Sequence, residues 1–324
     1  MVARTGSPGP WRGAGGVTLL RLAARQGRAI LIAGLVVGIG FPALAFAMRP
    51  WIPELVAAML FVAALRIGPR AAFGAARDFG AAVGIAGLYQ VVFPLVAIAL
   101  FLALGWNGVF ATAIILMLAA SPISGSPNIT LMTGNDPAPA LRQLVIGTAL
   151  LPLTVIPVFW LTPDLGNLSD VFAAAARLLA LILAATGLGF AIRATVLRDP
   201  EPETLAAIDG ASAILMGVVV VGLMSAVGPA IFDDPAGLAV ALVIVFAANF
   251  GLQLAAATAL RASGRRHLAA PLGIVAGNRN IALFIAALPA AVTDPLLLFI
   301  GCYQIPMYLT PILLGRFYRR ETAL

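Results

Sequence analysis

The chain has no lysine, one histidine and one cysteine, and only 10% of its 324 residues are charged. A soluble domain carries roughly 25% charged residues. Too little charge is present to solvate an ordinary globular surface. Cys302 lies in an apolar stretch, so a disulfide framework and a thiolate metal cluster are both excluded. His267 lies in an arginine-rich loop, which removes histidine metal sites and histidine triads. A net charge of +7 is compatible with nucleic acid, but the arginines are scattered through short loops and form no single patch.

What fills the sequence is apolar: 61% hydrophobic residues and a mean hydropathy of +1.04. Apolar stretches of about 20 residues recur, the length that spans a bilayer as helix. The expected fold is all-α and integral to the membrane. Ten spans are expected, near 29–48, 52–68, 80–104, 108–133, 138–161, 169–192, 204–228, 236–260, 268–289 and 295–315. Internal Pro and Gly do not oppose helix in such segments. Residues 1–28 hold Arg4, Arg12, Arg21, Arg25 and Arg28 before an apolar run. A signal peptide cleaved near Ala43–Ala47 has that pattern, but the run continues to Met48, long enough to span. Val17–Gln26 fits either an interfacial helix or an irregular segment.

Arginine placement predicts orientation. With the N-terminus inside, inner segments hold those five arginines, Arg66, Arg70, Arg77, Arg193, Arg198, Arg261, Arg265, Arg266, Arg316, Arg319 and Arg320. Outer loops hold Arg49 beside Glu54, Asp164, Asp170, Asp233, Asp234 and Asp294. This obeys the positive-inside rule and predicts a multi-pass protein of the cell's inner (plasma) membrane with both termini cytoplasmic. Its organisation is then a cytoplasmic segment 1–28, a five-helix repeat 29–161, a second repeat 162–315 and a cytoplasmic tail 316–324. An odd-numbered repeat inserts inverted. Inverted repeats with broken helices near the midplane are a common plan of secondary transporters.

The fourth span reads Ser121-Pro122-Ile123-Ser124-Gly125-Ser126-Pro127-Asn128, and the ninth reads Gly277-Asn278-Arg279-Asn280. In register, Gly125 meets Gly277 and Asn128 meets Asn280, and Pro137 meets Pro289. Pro122 and Pro127 forbid a continuous helix, and Gly125 and Gly277 would permit unusual backbone angles and close crossing. Broken helices free backbone N–H groups whose dipole favours an anion. The candidate substrate-binding set is Ser124, Gly125, Ser126, Asn128, Asn249, Asn278, Arg279 and Asn280.

These stretches resemble the bile acid:sodium symporter superfamily. Gly125-Ser126-Pro127-Asn128 is similar to that family's small-residue stretch ending in Ser-Asn, and Gly277-Asn278-Arg279-Asn280 to its Gly-x-Gln-Asn stretch. Gln90 with Pro94, and Gly147-Thr148 with Pro152, look like its motifs in helices three and five. The resemblance implies crossing of unwound helices four and nine and a panel rocking against a core. It also implies sodium as coupling ion, held by Gln90, Asn128, Thr148 and Asn280, with no other cofactor. Two positions depart: the family's sodium-binding Glu falls at Val275 and its Gln at Arg279.

A buried arginine costs roughly 2.5–3.5 kcal/mol on insertion scales and therefore faces a cavity or a partner. Arg279 either pairs with a substrate carboxylate or sulfonate or locks the carbonyls of the broken helices. Arg142 and Arg177 read as interface anchors. Asp209 reads as the partner of a nearby inner-surface arginine or as a proton carrier. Gln90, Asn249 and Gln253 suit interhelical hydrogen bonds, with a site role also open for Gln90 and Asn249. Gly34, Gly38 and Gly40, like Gly187 and Gly189, suit helix packing, as does Cys302. The expected activity is therefore carriage of a small organic anion across the bilayer, driven by sodium or protons or facilitative. A non-transporting sensor on the same fold is an alternative. Arsenite efflux lacks its helix-four cysteine, a membrane enzyme lacks acids and a base at depth, and a channel lacks a filter. The expected partners are lipid and the anion, with no nucleic acid.

Overall fold

With no water to accept or donate, apolar backbone must bond to itself, and helix is the form that does so within one segment. The computed structural model describes residues 14–74, 79–162, 165 and 167–319, apart from the side chains of 14–17, 28 and 73. Arg4, Arg12, Arg77, Asp164 and Arg320 lie outside the described residues, as do residues 1–13 and 320–324 of the two terminal segments. In chain order the helices are α1 (Ala14–Arg25), α2 (Gly27–Gly40), α3 (Pro42–Met48), α4 (Ile52–Gly74), α5 (Phe79–Gly87), α6 (Phe93–Ala103), α7 (Val109–Ala119), α8 (Ser126–Met132) and α9 (Ala138–Leu161). They continue as α10 (Leu168–Thr195), α11 (Pro202–Leu223), α12 (Val227–Asp233), α13 (Pro235–Ala262), α14 (Arg266–Gly277), α15 (Ala290–Thr293), α16 (Leu297–Leu313) and α17 (Gly315–Arg319). A π turn, Leu88–Val92, joins α5 to α6. No strand is present among the described residues, and the fold is that of an all-α, multi-pass membrane protein.

Seven of these segments are long and apolar enough to cross a membrane, or eight if Thr18–Arg25 and Ala29–Gly40, bent by 84°, form one span. Ten windows were expected from sequence, and breaks account for the difference. The expected fourth and ninth spans are each interrupted, leaving α7 and α14 at 11 and 12 residues. The expected boundary at 49–51 is also displaced. Pro42–Ala72 runs as one apolar segment through a 3-10 turn at Arg49–Trp51. The helical path breaks at Phe41 instead (φ −125°, ψ 73°), just before Pro42. Proline disfavours helical backbone in the residue before it and is accepted at the first turn of the next helix.

Two groups of helices pack around one continuous apolar core. In the first, α2 lies on α11 and α4 on α10. Gly34 lies so close to Gly217 that a methyl group on it would come within 2.6 Å of the Gly217 carbonyl oxygen. The packing role expected of Gly34 is thus realised, as it is at Gly38 on Met224 and at Gly189 on α4, but a Cβ at Gly40 or Gly187 would meet nothing within 4 Å. In the second group, α13 lies on α14 and α16, and α9 on α5, α8 and α14. Leu88, Val92, Val96 and Leu100 form an exposed apolar stripe at every fourth residue, while Tyr89, Gln90 and Phe101 face inward. Apolar residues outside and polar ones within is the arrangement lipid selects.

Ion pairs decorate the ends. Arg66 Nε reaches Asp209 Oδ1 at 2.6 Å, so Asp209 has the arginine partner anticipated for it. Arg70 pairs with Asp199 at 3.3 Å and Arg21 with Glu203 at 3.0 Å. Arg49, in the turn before α4, pairs with Asp294, in the turn before α16, and so ties the first group to the second. Arg177, expected to be an interface anchor, donates from Nη1 to Ala287 O at 3.2 Å.

Candidate functional site

α7 ends where Ala120 turns extended (φ −66°, ψ 152°), two residues before Pro122. α14 ends where Asn278 does the same (φ −103°, ψ 90°). The two extended stretches meet antiparallel. Ile123 N–H donates to Asn278 O at 3.1 Å and Asn280 N–H to Ser121 O at 2.7 Å. A single antiparallel bridge results, Pro122 opposite Arg279. Proline has no N–H to offer, and it occupies the bridge position where none is required. The crossing thus satisfies polar backbone that two broken helices would otherwise leave bare.

Arg279 is 1% exposed. Its Nε donates to Ala276 O at 2.9 Å and its Nη1 to Ala120 O at 3.1 Å. The guanidinium carbon lies 5.0 Å from the centre of the Tyr89 ring, a cation–π contact. These carbonyls sit at the C-terminal ends of α14 and α7, where helix dipoles present their negative poles. Arg279 therefore holds the broken-helix carbonyls. Its third nitrogen, Nη2, is buried without a hydrogen-bond partner. The main-chain N–H of Arg279 donates to the Tyr303 hydroxyl at 3.2 Å, and that hydroxyl donates to Gly277 O.

Beneath the crossing lies an amide network. Asn249 Nδ2 donates to Gly277 O at 2.6 Å and to Asn278 Oδ1 at 3.3 Å. Gln253 Nε2 donates to Asn249 Oδ1 at 2.7 Å and to Thr310 Oγ1 at 2.9 Å, and the Tyr318 hydroxyl donates to Gln253 Oε1 at 3.1 Å. Asn249, Gln253, Asn278 and Thr310 are all fully buried. In this conformation Asn249 and Asn278 bind one another, and neither lines the recesses beside the crossing.

Three such spaces adjoin the crossing, and Ser124 lines them all. A narrow cavity of about 40 Å³ is lined by Arg279, Asn280, Ser124 and Gln304 together with side chains of α4 and α11. An open recess of about 380 Å³ is lined by Asn128, Arg66, Asp209 and Ser212. Between them a space of about 120 Å³ touches Pro122, Asn280 and Thr148. The residues proposed as sodium ligands are thus divided. Thr148 and Asn280 share one space, and Asn128 is exposed in the adjoining one. Gln90 is buried, giving Nε2 to Gly147 O at 3.1 Å and accepting from Thr154 Oγ1 at 3.0 Å. Ser126 is buried with its hydroxyl unpartnered, and Gly125 is half-buried.

Two expectations are corrected here. Neither Gly125 (φ −78°) nor Gly277 adopts a left-handed backbone angle. A Cβ on Gly277 would stand 2.2 Å from Asn249 O, so its smallness serves the contact between α14 and α13. A Cβ on Gly125 would meet nothing nearer than 3.7 Å. The second half-helices are also weaker anion sites than expected. α8 has only 7 residues, and the ninth segment resumes as a 3-10 turn, Ile281–Phe284. The longer helical halves instead point C-terminal ends at the crossing, which favours a cation, and Arg279 supplies it.

Sequence reading missed the tyrosines. The chain has four, and all four gather here: Tyr89 against Arg279, Tyr303 on Gly277 O, Tyr308 lining the narrow cavity and Tyr318 on Gln253. Their rarity in a chain otherwise rich in Leu, Ala and Val is the signal that could have found them. No protein-family model and no curated protein matches the chain.

Proposed function

We propose that this protein is a secondary transporter of a small organic anion, working by alternating access with its substrate taken beside the crossing of the fourth and ninth segments. The observation that carries the reading is Arg279: a fixed positive charge, 1% exposed, placed where two broken helices meet and lining a cavity between two helix groups. Buried charge in a membrane protein is costly and marks substrate or ion pathways. On this reading α2, α4, α10 and α11 act as a panel, and the helices that carry the crossing act as a core. The large recess is lined by Arg66 and Asp209, while the Arg49–Asp294 pair lies at the other end of α4 and would close that end. Such an arrangement supports a carrier open to one side, the cytoplasmic side if arginine placement sets the orientation.

Ten spans in two inverted repeats fit this reading. Ser121 and Asn278, Pro122 and Arg279, and Ile123 and Asn280 are separated by the same number of residues, and so are Val109 and Arg266, the first residues of α7 and α14. The two crossing hydrogen bonds exchange under that shift. This register differs by five residues from the alignment of Gly125 with Gly277. The pairs α2–α11 and α4–α10 also exchange when the first two spans of each half are swapped. The resemblance to the bile acid:sodium symporter superfamily agrees with such a plan.

A second reading concerns coupling. Because Arg279 already neutralises the carbonyl ends of α7 and α14, a carrier independent of sodium, proton-coupled or facilitative, is favoured over a sodium symporter. Uptake of carboxylates into proteoliposomes tests the proposal, with sodium replaced by choline in a matched set. Saturable uptake that is abolished in a folded Arg279→Gln variant is expected. Substrate binding without uptake would make the protein a sensor on a carrier fold.

A further inference from the structure

We infer that the first helix, α1, lies along the arginine-rich membrane surface and docks there onto anionic phospholipid, with Arg25 at the headgroups and Leu19 and Leu22 among the upper acyl chains. This face lies away from the crossing, and its assignment is independent of the carrier reading.

The bend sets the direction of α1. α2 follows α11, a segment long and apolar enough to span, with Gly34 on Gly217 and Gly38 on Met224. Thr18–Arg25 turns away from Ala29–Gly40 by 84°. A helix nearly perpendicular to a span runs in the plane of the interface. Contacts with α11 hold α1 there. The Leu20 carbonyl lies so close to Gly210 that a Cβ on that glycine would stand 1.8 Å from its oxygen. Arg21 pairs at 3.0 Å with Glu203, in the first turn of α11. One face of α1 is thus fixed on the protein, and the other is turned outward.

The outward face is half apolar and half basic. Thr18, Leu19, Leu22 and Arg25 are exposed, Leu19 by 67% and Leu22 by 54%, while Ala23 is buried. At about 100° per residue these four fill an arc of about 120°, with Leu19 at one edge, Arg25 at the other and Leu22 between. Such a helix sinks its apolar side about 5–10 Å into the boundary of headgroups and acyl chains. Arg25 can then extend to the phosphates. Charge sets the kind of lipid: residues 1–28 carry five arginines and no Asp or Glu. Arginines near an anionic surface are attracted one by one, so anionic lipid is favoured over zwitterionic. The consequence reaches the recess. Gly210, the seat of α1, follows Asp209, which holds Arg66 and lines that recess.

The test uses the full-length protein in detergent with Leu19→Cys carrying a polarity-sensitive fluorophore, since Cys302, the one native cysteine, is fully buried. Phosphatidylglycerol and phosphatidylcholine of equal chain length are titrated in. Emission should move to shorter wavelength with both, at a midpoint at least about fivefold lower for phosphatidylglycerol, the effect of one arginine at an anionic surface. Arg25→Gln should reduce that preference and Arg25→Glu reduce it further, and high salt should do the same. Leu22→Ser should weaken the response to both lipids. Glycerol phosphate, a headgroup without chains, should cause no shift. Should a variant fail to fold, the two lipids on the parent chain decide alone. Equal midpoints, no shift, or a preference untouched by Arg25→Glu would overturn the inference. A shift without lipid that grows with protein concentration would overturn it too, by giving the face to a second copy of the chain. Carboxylate uptake without lipid preference would leave the carrier reading standing and sink this one, and lipid preference without uptake would do the reverse.

Discussion

Arg279 Nη1 donates to the carbonyl oxygen of Ala120 at 3.1 Å, joining the end of α14 to the end of α7 across two halves of the chain. With Nε on Ala276 O, one guanidinium holds both broken helices. Hydrogen bonds from charged groups contribute about 1.5–3 kcal/mol each. Arg279→Ala, which removes both, should destabilise the protein by about 3–5 kcal/mol. Arg279→Lys keeps the charge but cannot span the two acceptors in the same plane, and an intermediate loss is expected. Chemical unfolding in detergent measures both, and a loss below about 1 kcal/mol in Arg279→Ala would deny the guanidinium its structural part.

Gly277 and Gly125 should separate sharply under the same substitution. Gly277→Ala places a methyl group 2.2 Å from backbone oxygen of α13, which cannot retreat without moving the helix. Overpacking of this kind costs about 1–3 kcal/mol or more. Gly125→Ala meets only the tip of Ile123, at 3.7 Å, and should be near neutral. A comparison of melting temperatures decides, and equal behaviour of the two would contradict the packing described.

Much of the crossing was legible because prolines, glycines and amides interrupt an otherwise apolar text at Ser121–Asn128 and Gly277–Asn280. Asp209 was legible too, since a carboxylate near a membrane surface seeks an arginine, and Arg66 is there. Direction was not legible. In a soluble helix the polar face announces the outside, but here Leu100 faces out and Phe101 faces in with no contrast between them. Sequence therefore could not tell that Asn249 and Asn278 face one another, nor that Tyr303 reaches Gly277 O. The break at Phe41 was written in the Phe-Pro step, but an apolar window running through it concealed it.

The Arg49–Asp294 pair should hold the closed end. Its side chains are 29% and 47% exposed, so screening limits the pair to less than about 1 kcal/mol. That is still up to about a fivefold change in the ratio of two conformations. Arg49→Glu should reduce labelling of a cysteine introduced at Ser212, which lines the open recess. Exchanging both charges should restore labelling. Labelling that ignores the charge at residue 49 would remove this pair from the gate.

Sodium dependence offers a further check. With a guanidinium already on the carbonyls of Ala120 and Ala276, replacing choline chloride by sodium chloride at matched ionic strength should leave the melting temperature unchanged. A bound ion at a hundredfold excess over its dissociation constant would add about 2.7 kcal/mol. A saturable, sodium-specific rise would return Thr148 and Asn280 to the role of cation ligands.

The most direct measurement is uptake of radiolabelled carboxylates by proteoliposomes holding the wild-type chain or a folded Arg279→Gln variant. Saturable uptake by the wild type, unchanged when choline replaces sodium and abolished in the variant, is the predicted result. Equal uptake by both proteins, or none of any carboxylate by the wild type, would contradict an anion carrier built on Arg279.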